Sequence, residues 1–248
     1  MKVCVLTLFP ELFQPFWGHG IIRRAIQGGK IHPDTINIRD HAEGRHRVTD
    51  DRPYGGGCGM VMKPEPLAGA LAQAKGRMPA ATTLLLSPQG RRFDQQLAES
   101  LAQAGELIFV CGRYEGVDER FVDRFVDGEI SIGDFVLTGG ELAAMAIIDA
   151  VARLIPGVLG NEDSAGSDTF CDGLVEHAHY TRPPSYDDEP VPGVLLSGNH
   201  AEIDRWRRET ALMRTVLKRP DLLEKRGISP EERALLIKWR RELDRLIG

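Results

Sequence analysis

Several features that would place a chain in a large functional class are missing from these 248 residues. No apolar run approaches the roughly 18 residues that would span a bilayer, so no membrane partner is expected. The N-terminus, MKVCVLTLF, has one lysine followed by alternating apolar residues and no small-residue cleavage site; it reads as a strand rather than a secretory signal, and the expected location is cytoplasmic. Cysteine is sparse. Cys4, Cys58, Cys111 and Cys171 are scattered without a C-x-x-C spacing, which argues against a disulfide framework or a zinc cage and for reduced thiols. The nucleotide fingerprints are absent too. There is neither the G-x-G-x-x-G of a dinucleotide-binding turn nor the Gly-Lys-Ser/Thr ending of a phosphate-binding loop. Internal repeats and low-complexity tracts are also lacking.

What remains is the composition of an ordinary soluble globular protein, 42% hydrophobic and 27% charged, long enough for one or two domains. The net charge of -5 disfavours nucleic acid until it is divided along the chain. From Asn199 onward 13 Lys/Arg face 9 Asp/Glu, a balance of +4, whereas the first 198 residues carry 18 against 27, or -9. The basic tail permits a phosphate-binding surface, and it is equally compatible with a solvated helix face.

Strand-like stretches at Val3–Phe9, Thr83–Ser87 and Leu107–Cys111 alternate with helical patterns at Gly20–Gln27, Pro66–Ala74, Asp94–Ala104, Val117–Val126 and Gly140–Leu154. Such alternation predicts an α/β domain with a largely parallel sheet, and on these grounds alone an open, doubly wound one. Pro156 stops the last of these helices. Asn161 to Asp172 (NEDSAGSDTFCD) is polar and reads as a linker. Beyond it, Asn199 with Glu202 and Ser229–Pro230–Glu231–Glu232 are helix-start signals, so the C-terminal part is expected to be a small helical domain. The predicted organisation is a sheet domain over 1–160, a linker over 161–172 and a helical domain over 173–248.

Three strand ends share one design: LLSPQGRRF (Leu85–Phe93), FVCGRYEGVDER (Phe109–Arg120) and ISIGDFVLTGG (Ile130–Gly140). Each passes from apolar residues into a Gly- or Pro-containing turn. In α/β sheets ligands bind at the carboxyl ends of the strands, and glycine leaves backbone N–H and C=O groups accessible. Three such turns could line one pocket, although each alone could be no more than a tight turn. YGGGCGM (Tyr54–Met60), preceded by Arg45, His46, Arg47 and Arg52, is a further glycine cluster in a basic loop. His177 and His179 would share a face of a strand, but a metal site needs a third ligand and supporting groups around it, and packing is the better reading. Arg153 ends an almost wholly apolar helix and Asp168 lies in the linker; on the residues alone an ion pair with Asp149 and an ordinary linker acid or helix cap, respectively, are the better readings.

Eight ordered stretches together give this sequence a family likeness. LTLFPELF (Leu6–Phe13), YGGGCGMVMKPEP, LLSPQGRRF, CGRYEGVDER, EISIGDFVLTGGEL, DAVARLIPGVLG (Asp149–Gly160), HYTRP (His179–Pro183) and LLSGNHAEIDRWR (Leu195–Arg207) resemble the bacterial tRNA (guanine-N1)-methyltransferases, members of the knotted SPOUT-type superfamily that modify the guanine 3′ of the anticodon at tRNA position 37. The likeness departs at Ala143 and Ala178, where the family commonly has proline, and at Phe135, often tyrosine; of these only Phe135 is expected at the pocket.

The resemblance implies a deep trefoil knot in the sheet domain and S-adenosylmethionine held in a bent form by the three turns. Leu86, Ser87, Pro88, Gln89, Gly112, Arg113, Tyr114, Glu115, Ile132, Gly133, Phe135, Leu137, Gly139 and Gly140 are the implied cofactor-binding residues, with Glu115 near the methionine end. It also implies an obligate homodimer with active sites at the subunit interface, tRNA bound by the basic C-terminal helices, Asp168 as general base on guanine N1, and Arg153 stabilising charge on O6. Mg2+ is compatible with the likeness, but no ligand cluster is assigned to it. The readings left beside this one are another SPOUT-type RNA methyltransferase, acting on ribose 2′-OH or ribosomal RNA, and a non-catalytic RNA-binding protein.

Overall fold

A computed structural model describes residues 1–159, 169–170 and 172–248. The chain divides into two compact units, Met1–Glu162 and Asp163–Gly248. The first contains β1 (Lys2–Thr7), α1 (Phe13–Gly18), α2 (Gly20–Gln27), β2 (His32–Asn37), β3 (Asp50–Asp51), β4 (Val61–Met62), α3 (Pro64–Arg77), β5 (Thr82–Arg92), α4 (Gln95–Gln103), β6 (Glu106–Cys111), α5 (Glu119–Phe125), β7 (Gly128–Ser131) and α6 (Glu141–Arg153). Five of the strands form one sheet in the order β2-β1-β6-β5-β7, parallel throughout.

The sheet is buried on both faces, as parallel sheets are, and the alternation of side chains sorts its residues between two cores. Val3 and Val5 of β1, Leu107, Phe109 and Cys111 of β6, and Leu84 and Leu86 of β5 pack with α1, α2, α4 and α6. Cys4, Leu6, Ile108, Val110 and Leu85 face the other way, onto α3 and α5. Both strand cysteines are thereby desolvated: burial pushes the Cys4 thiol up to about 12 and raises that of Cys111 well above its ordinary value, which makes them inert core residues.

Strand β2 carries no apolar run in the sequence. HPDTIN buries only Ile36 fully, and its proline is tolerated because β2 is an edge strand, where Pro33 interrupts no ladder on the open side.

The second unit contains α7 (Gly193–Leu196), α8 (His200–Lys218), α9 (Pro220–Arg226) and α10 (Pro230–Ile247). Its small core joins Leu174, Ala211, Leu212 and Leu223, with Leu235, Leu236 and Trp239 packed against them. Both start signals act as caps. The Asn199 side chain accepts from the Glu202 amide at 3.4 Å, and Ser229 and Glu232 cap each other's backbone N–H groups in a capping box. The unit is not wholly helical, since β8 (Ser185–Tyr186) and β9 (Glu189–Pro190) form a two-stranded hairpin whose turn residues Asp187 and Asp188 have positive φ.

Candidate cofactor pocket

The three glycine-bearing turns come together, two of them at the carboxyl ends of β6 and β7 and one at a break in β5. The first is not the end of a strand but an excursion within one. Leu86 and Arg91 both pair with Ile130, so Ser87, Pro88, Gln89 and Gly90 loop out of the β5 ladder between them. A side chain at Gly90 would lie 2.4 Å from the backbone of Glu129 and Ile130, which only glycine avoids.

The second turn follows β6. Tyr114 adopts φ 61°, an uncommon conformation for a residue with a side chain and a sign of a turn held by its surroundings. Those surroundings are the YGGGCGM stretch: the Glu115 amide donates to Met60 O at 3.0 Å and the Met62 amide to Gly116 O at 2.9 Å. The fourth glycine cluster is thus stitched by its C-terminal end to the second turn, while Tyr54 at its start is fully exposed.

The third turn follows β7. Ser131 Oγ accepts from the Gly133 amide at 3.2 Å and donates to the Gly133 carbonyl at 3.1 Å, which folds the chain back on itself. The turn then crosses the second one, with Arg113 bridged to Gly139 and the Gly140 amide donating to Gly112 O at 3.0 Å. Gly140 sits so close to the neighbouring strands that a Cβ there would meet Cys111 Cα at 2.9 Å and Leu86 Cβ at 3.1 Å.

Between the turns lies a cavity of about 410 Å³. Small-molecule sites run from about 300 to 1,000 Å³. All the residues expected at a cofactor line it: Leu86, Ser87, Pro88 and Gln89; Gly112, Arg113, Tyr114 and Glu115; Ile132, Gly133, Phe135, Leu137, Gly139 and Gly140. Ala143 lines it as well, so two of the three family departures, and not Phe135 alone, touch the cavity. Phe135, Val136 and Leu142 leave an exposed apolar rim beside it.

One carboxylate that sequence reasoning passed over lies next to these turns. Glu141, the first residue of α6, is 2% exposed, accepts a hydrogen bond from Thr7 Oγ1 at 2.7 Å and pairs with Arg113 at 3.0 Å. An acid opening a helix is ordinarily read as a partner of the helix dipole, so the sequence held no sign of its burial.

Of the two residues expected to act on the substrate, Arg153 does not line this cavity. Arg153 is half-buried at the far end of α6, and Asp168 falls outside the described residues. In the second unit the pair His177 and His179 gains a third member. Ligating atoms of Glu176, His177 and His179 lie within 4.8 Å of one another, with His179 Nε2 at 2.9 Å from Glu176 Oε1. Among the described residues no helix is long and apolar enough to cross a membrane.

Comparison with known proteins agrees with the turn geometry. Residues 1–225 match the family described as tRNA (Guanine-1)-methyltransferase TrmD. A protein of Geobacter sulfurreducens named tRNA (guanine-N(1)-)-methyltransferase is 58% identical over 242 residues, covering 98% of this chain and 99% of its own. Proteins with the same name from Desulfatibacillum aliphaticivorans and Pseudomonas entomophila are each 53% identical; they cover 100% and 98% of this chain, and 94% and 98% of their own lengths. With a match from the first residue into α9 and relatives of such identity, the chain belongs to the tRNA (guanine-1)-methyltransferase family.

Proposed function

We propose that this chain methylates N1 of a tRNA guanine, the base 3′ of the anticodon at position 37, with S-adenosylmethionine as methyl donor. The observation that carries the reading is the convergence of three backbone-lined turns on one cavity in a chain of this family. The residues present fit the donor. Gly112, Gly139 and Gly140 offer backbone groups to an adenosine moiety without side chains in the way, the apolar side chains of Leu86, Ile132 and Leu137 suit its faces, and the Glu115 carboxylate suits the charged methionine end.

When bound, S-adenosylmethionine supplies an electrophilic methyl carbon on a sulfonium centre. The rest of the chemistry belongs to the protein. Guanine N1 holds a proton at neutral pH, so a base must remove it before the lone pair can attack; Asp168 is assigned that step on the family likeness. As the proton leaves, negative charge builds on guanine O6. A guanidinium there, Arg153, stabilises the transition state more than the ground state.

Arg153 cannot easily serve the cavity of its own chain. It is the last residue of α6, whose first turn stands at the cavity, and twelve residues at about 1.5 Å each put some 18 Å between the two ends. A homodimer in which one protomer's α6 end and linker approach its partner's pocket resolves the distance, and the exposed apolar rim of Phe135, Val136 and Leu142 supports such an interface. The crossing of the second and third turns, with Gly140 packed against Cys111 of β6 and Leu86 of β5, supports a knotted path for residues 1–160. The basic excess beyond Asn199 supports a role for 173–248 in holding the RNA backbone across a 161–172 linker. The proposed location is the cytoplasm.

The test is incubation with a methyl-labelled donor and an unmodified tRNA transcript, followed by nucleoside analysis. Label in 1-methylguanosine supports the reading; label in a 2′-O-methyl nucleoside points to the alternative acceptor in the same superfamily.

A further inference from the structure

Glu141 is buried and does not line the cavity, and none of the chemistry above uses it. Carboxylates are almost never this deeply buried unless they are paired. Here both oxygens are engaged: Oε1 accepts from Thr7 Oγ1 at 2.7 Å and from Arg113 Nε at 3.3 Å, and Oε2 lies 3.0 Å from Arg113 Nη2. Each partner is itself fixed. Thr7, at the end of β1, has no exposed surface and accepts from the Phe9 amide at 3.0 Å. Arg113 donates through Nη1 to Thr138 O at 3.3 Å, and its guanidinium stacks 4.4 Å from the centre of the Phe9 ring.

The ion pair lies directly beneath the backbone of the third turn. A Cβ on Gly139 would stand 2.3 Å from Arg113 Nε and 2.6 Å from Glu141 Oε2. Arg113 belongs to the second turn and lines the cavity; Thr138 and Gly139 belong to the third and line it too. Thr7 and Glu141 do not line it. A helix-dipole acid would need neither the burial nor the two partners, so the dipole does not explain the arrangement.

We propose that Glu141 is a positioning residue for the cofactor: through Arg113 and Thr7 it clamps the second and third turns to the end of β1, so that the pocket is shaped before the ligand arrives. The proposal rests on the reading of the cavity as the S-adenosylmethionine site. A preshaped pocket loses less freedom on binding, and affinity is what the clamp supplies. The donor's affinity therefore depends on two side chains that never touch it.

The experiment is calorimetric titration of S-adenosylmethionine into the full-length protein and its variants, with circular dichroism and melting temperature to confirm folding. Thr7→Val keeps the shape and removes the hydroxyl; the dissociation constant should rise about tenfold, the scale of a lost hydrogen bond to a charged group. Thr7→Ser, which retains the donor, should bind like wild type. Glu141→Gln keeps the volume and removes the charge opposite Arg113, and should weaken binding further. In turnover assays Thr7→Val should raise KM for the donor while leaving kcat at saturation and KM for tRNA near wild type. A merely structural role would lower the folded fraction and kcat without that split. Folded Thr7→Val and Glu141→Gln proteins that bind the donor within about twofold of wild type would overturn the proposal. Failure of the wild type itself to bind would instead overturn the cavity reading beneath it.

Discussion

The Gly140 amide donates to the Gly112 carbonyl at 3.0 Å, a backbone bond that joins the turn after β7 to the turn after β6. The close approach depends on Gly140, where a Cβ would meet Cys111 Cα at 2.9 Å; one on Gly112 would make only ordinary contacts, the nearest at 3.6 Å. Gly140 has φ -78° and ψ -8°, which any residue can adopt, so a substitution there tests packing without adding backbone strain. Gly140→Ala would push a methyl group against Cys111 Cα and Leu86 Cβ. Overpacking of this kind costs about 1–3 kcal/mol. Because the displaced atoms are the walls of the cavity, donor affinity should fall by at least about tenfold, read by calorimetry below the variant's melting temperature.

Arg153→Ala should separate binding from chemistry. The side chain lies outside the cavity, so the donor's dissociation constant should stay near wild type while kcat falls by about 10²–10³, the loss seen when a charge-stabilising donor is removed from a transition state. Single-turnover methyl transfer at saturating ligands measures it. Asp168→Asn should show the same separation, with methyl transfer abolished. Normal turnover in that variant would remove Asp168 as the base.

The length of α6 leads to a complementation experiment. An Arg153→Ala chain retains its pocket and a Gly140→Ala chain retains its arginine; with the donor held well below the dissociation constant of the Gly140→Ala protein, each variant alone should show about a tenth of wild-type activity or less. Co-expressed, half of the dimers are mixed and one of their two sites is intact, so about a quarter of wild-type activity should return. Sites built within single chains would give no recovery.

A pH prediction concerns the second unit. At Glu232 burial acts to raise the carboxyl, but the hydrogen bonds from Arg226 and from the Ser229 backbone outweigh it and hold the group below its ordinary 4.5. A depressed carboxylate contributes stability that is fully present above the unfolded value and is lost as pH falls through the folded one. Glu232→Gln should therefore cost about 0.5–2 kcal/mol at pH 7, the scale of a helix cap, and the difference from wild type should shrink as pH drops below 4.5. Denaturant unfolding followed by helix signal checks it.

Much of the first unit was legible because periodicity reports burial. Val3, Val5, Cys4 and Leu6 alternate between two cores as their order in the sequence implies, and the helix expected at Gly20–Gln27 has those bounds. β2 was not legible: a proline-bearing edge strand with one fully buried apolar side chain has no period to read. The turn at Ser87–Gly90 looked like the end of a strand because resumption of the ladder at Arg91 depends on pairing with β7. The pocket residues came from the family likeness and from the glycine turns, whereas Glu141 came from neither. Its hydroxyl partner Thr7 is 134 residues away, and only the fold brings the two together. Glu176 beside His177 and His179 is the opposite case, since the residues are adjacent and it took their side-chain directions to bring the third into reach.

The central claim is that this chain places a methyl group on N1 of the guanine at tRNA position 37. The most direct test uses two transcripts identical except at that position, each incubated with wild-type protein and labelled S-adenosylmethionine. The account predicts 1-methylguanosine in the transcript carrying the guanine and no label in the one where it is replaced. Equal labelling of both transcripts, or label recovered in any other nucleoside, would contradict it.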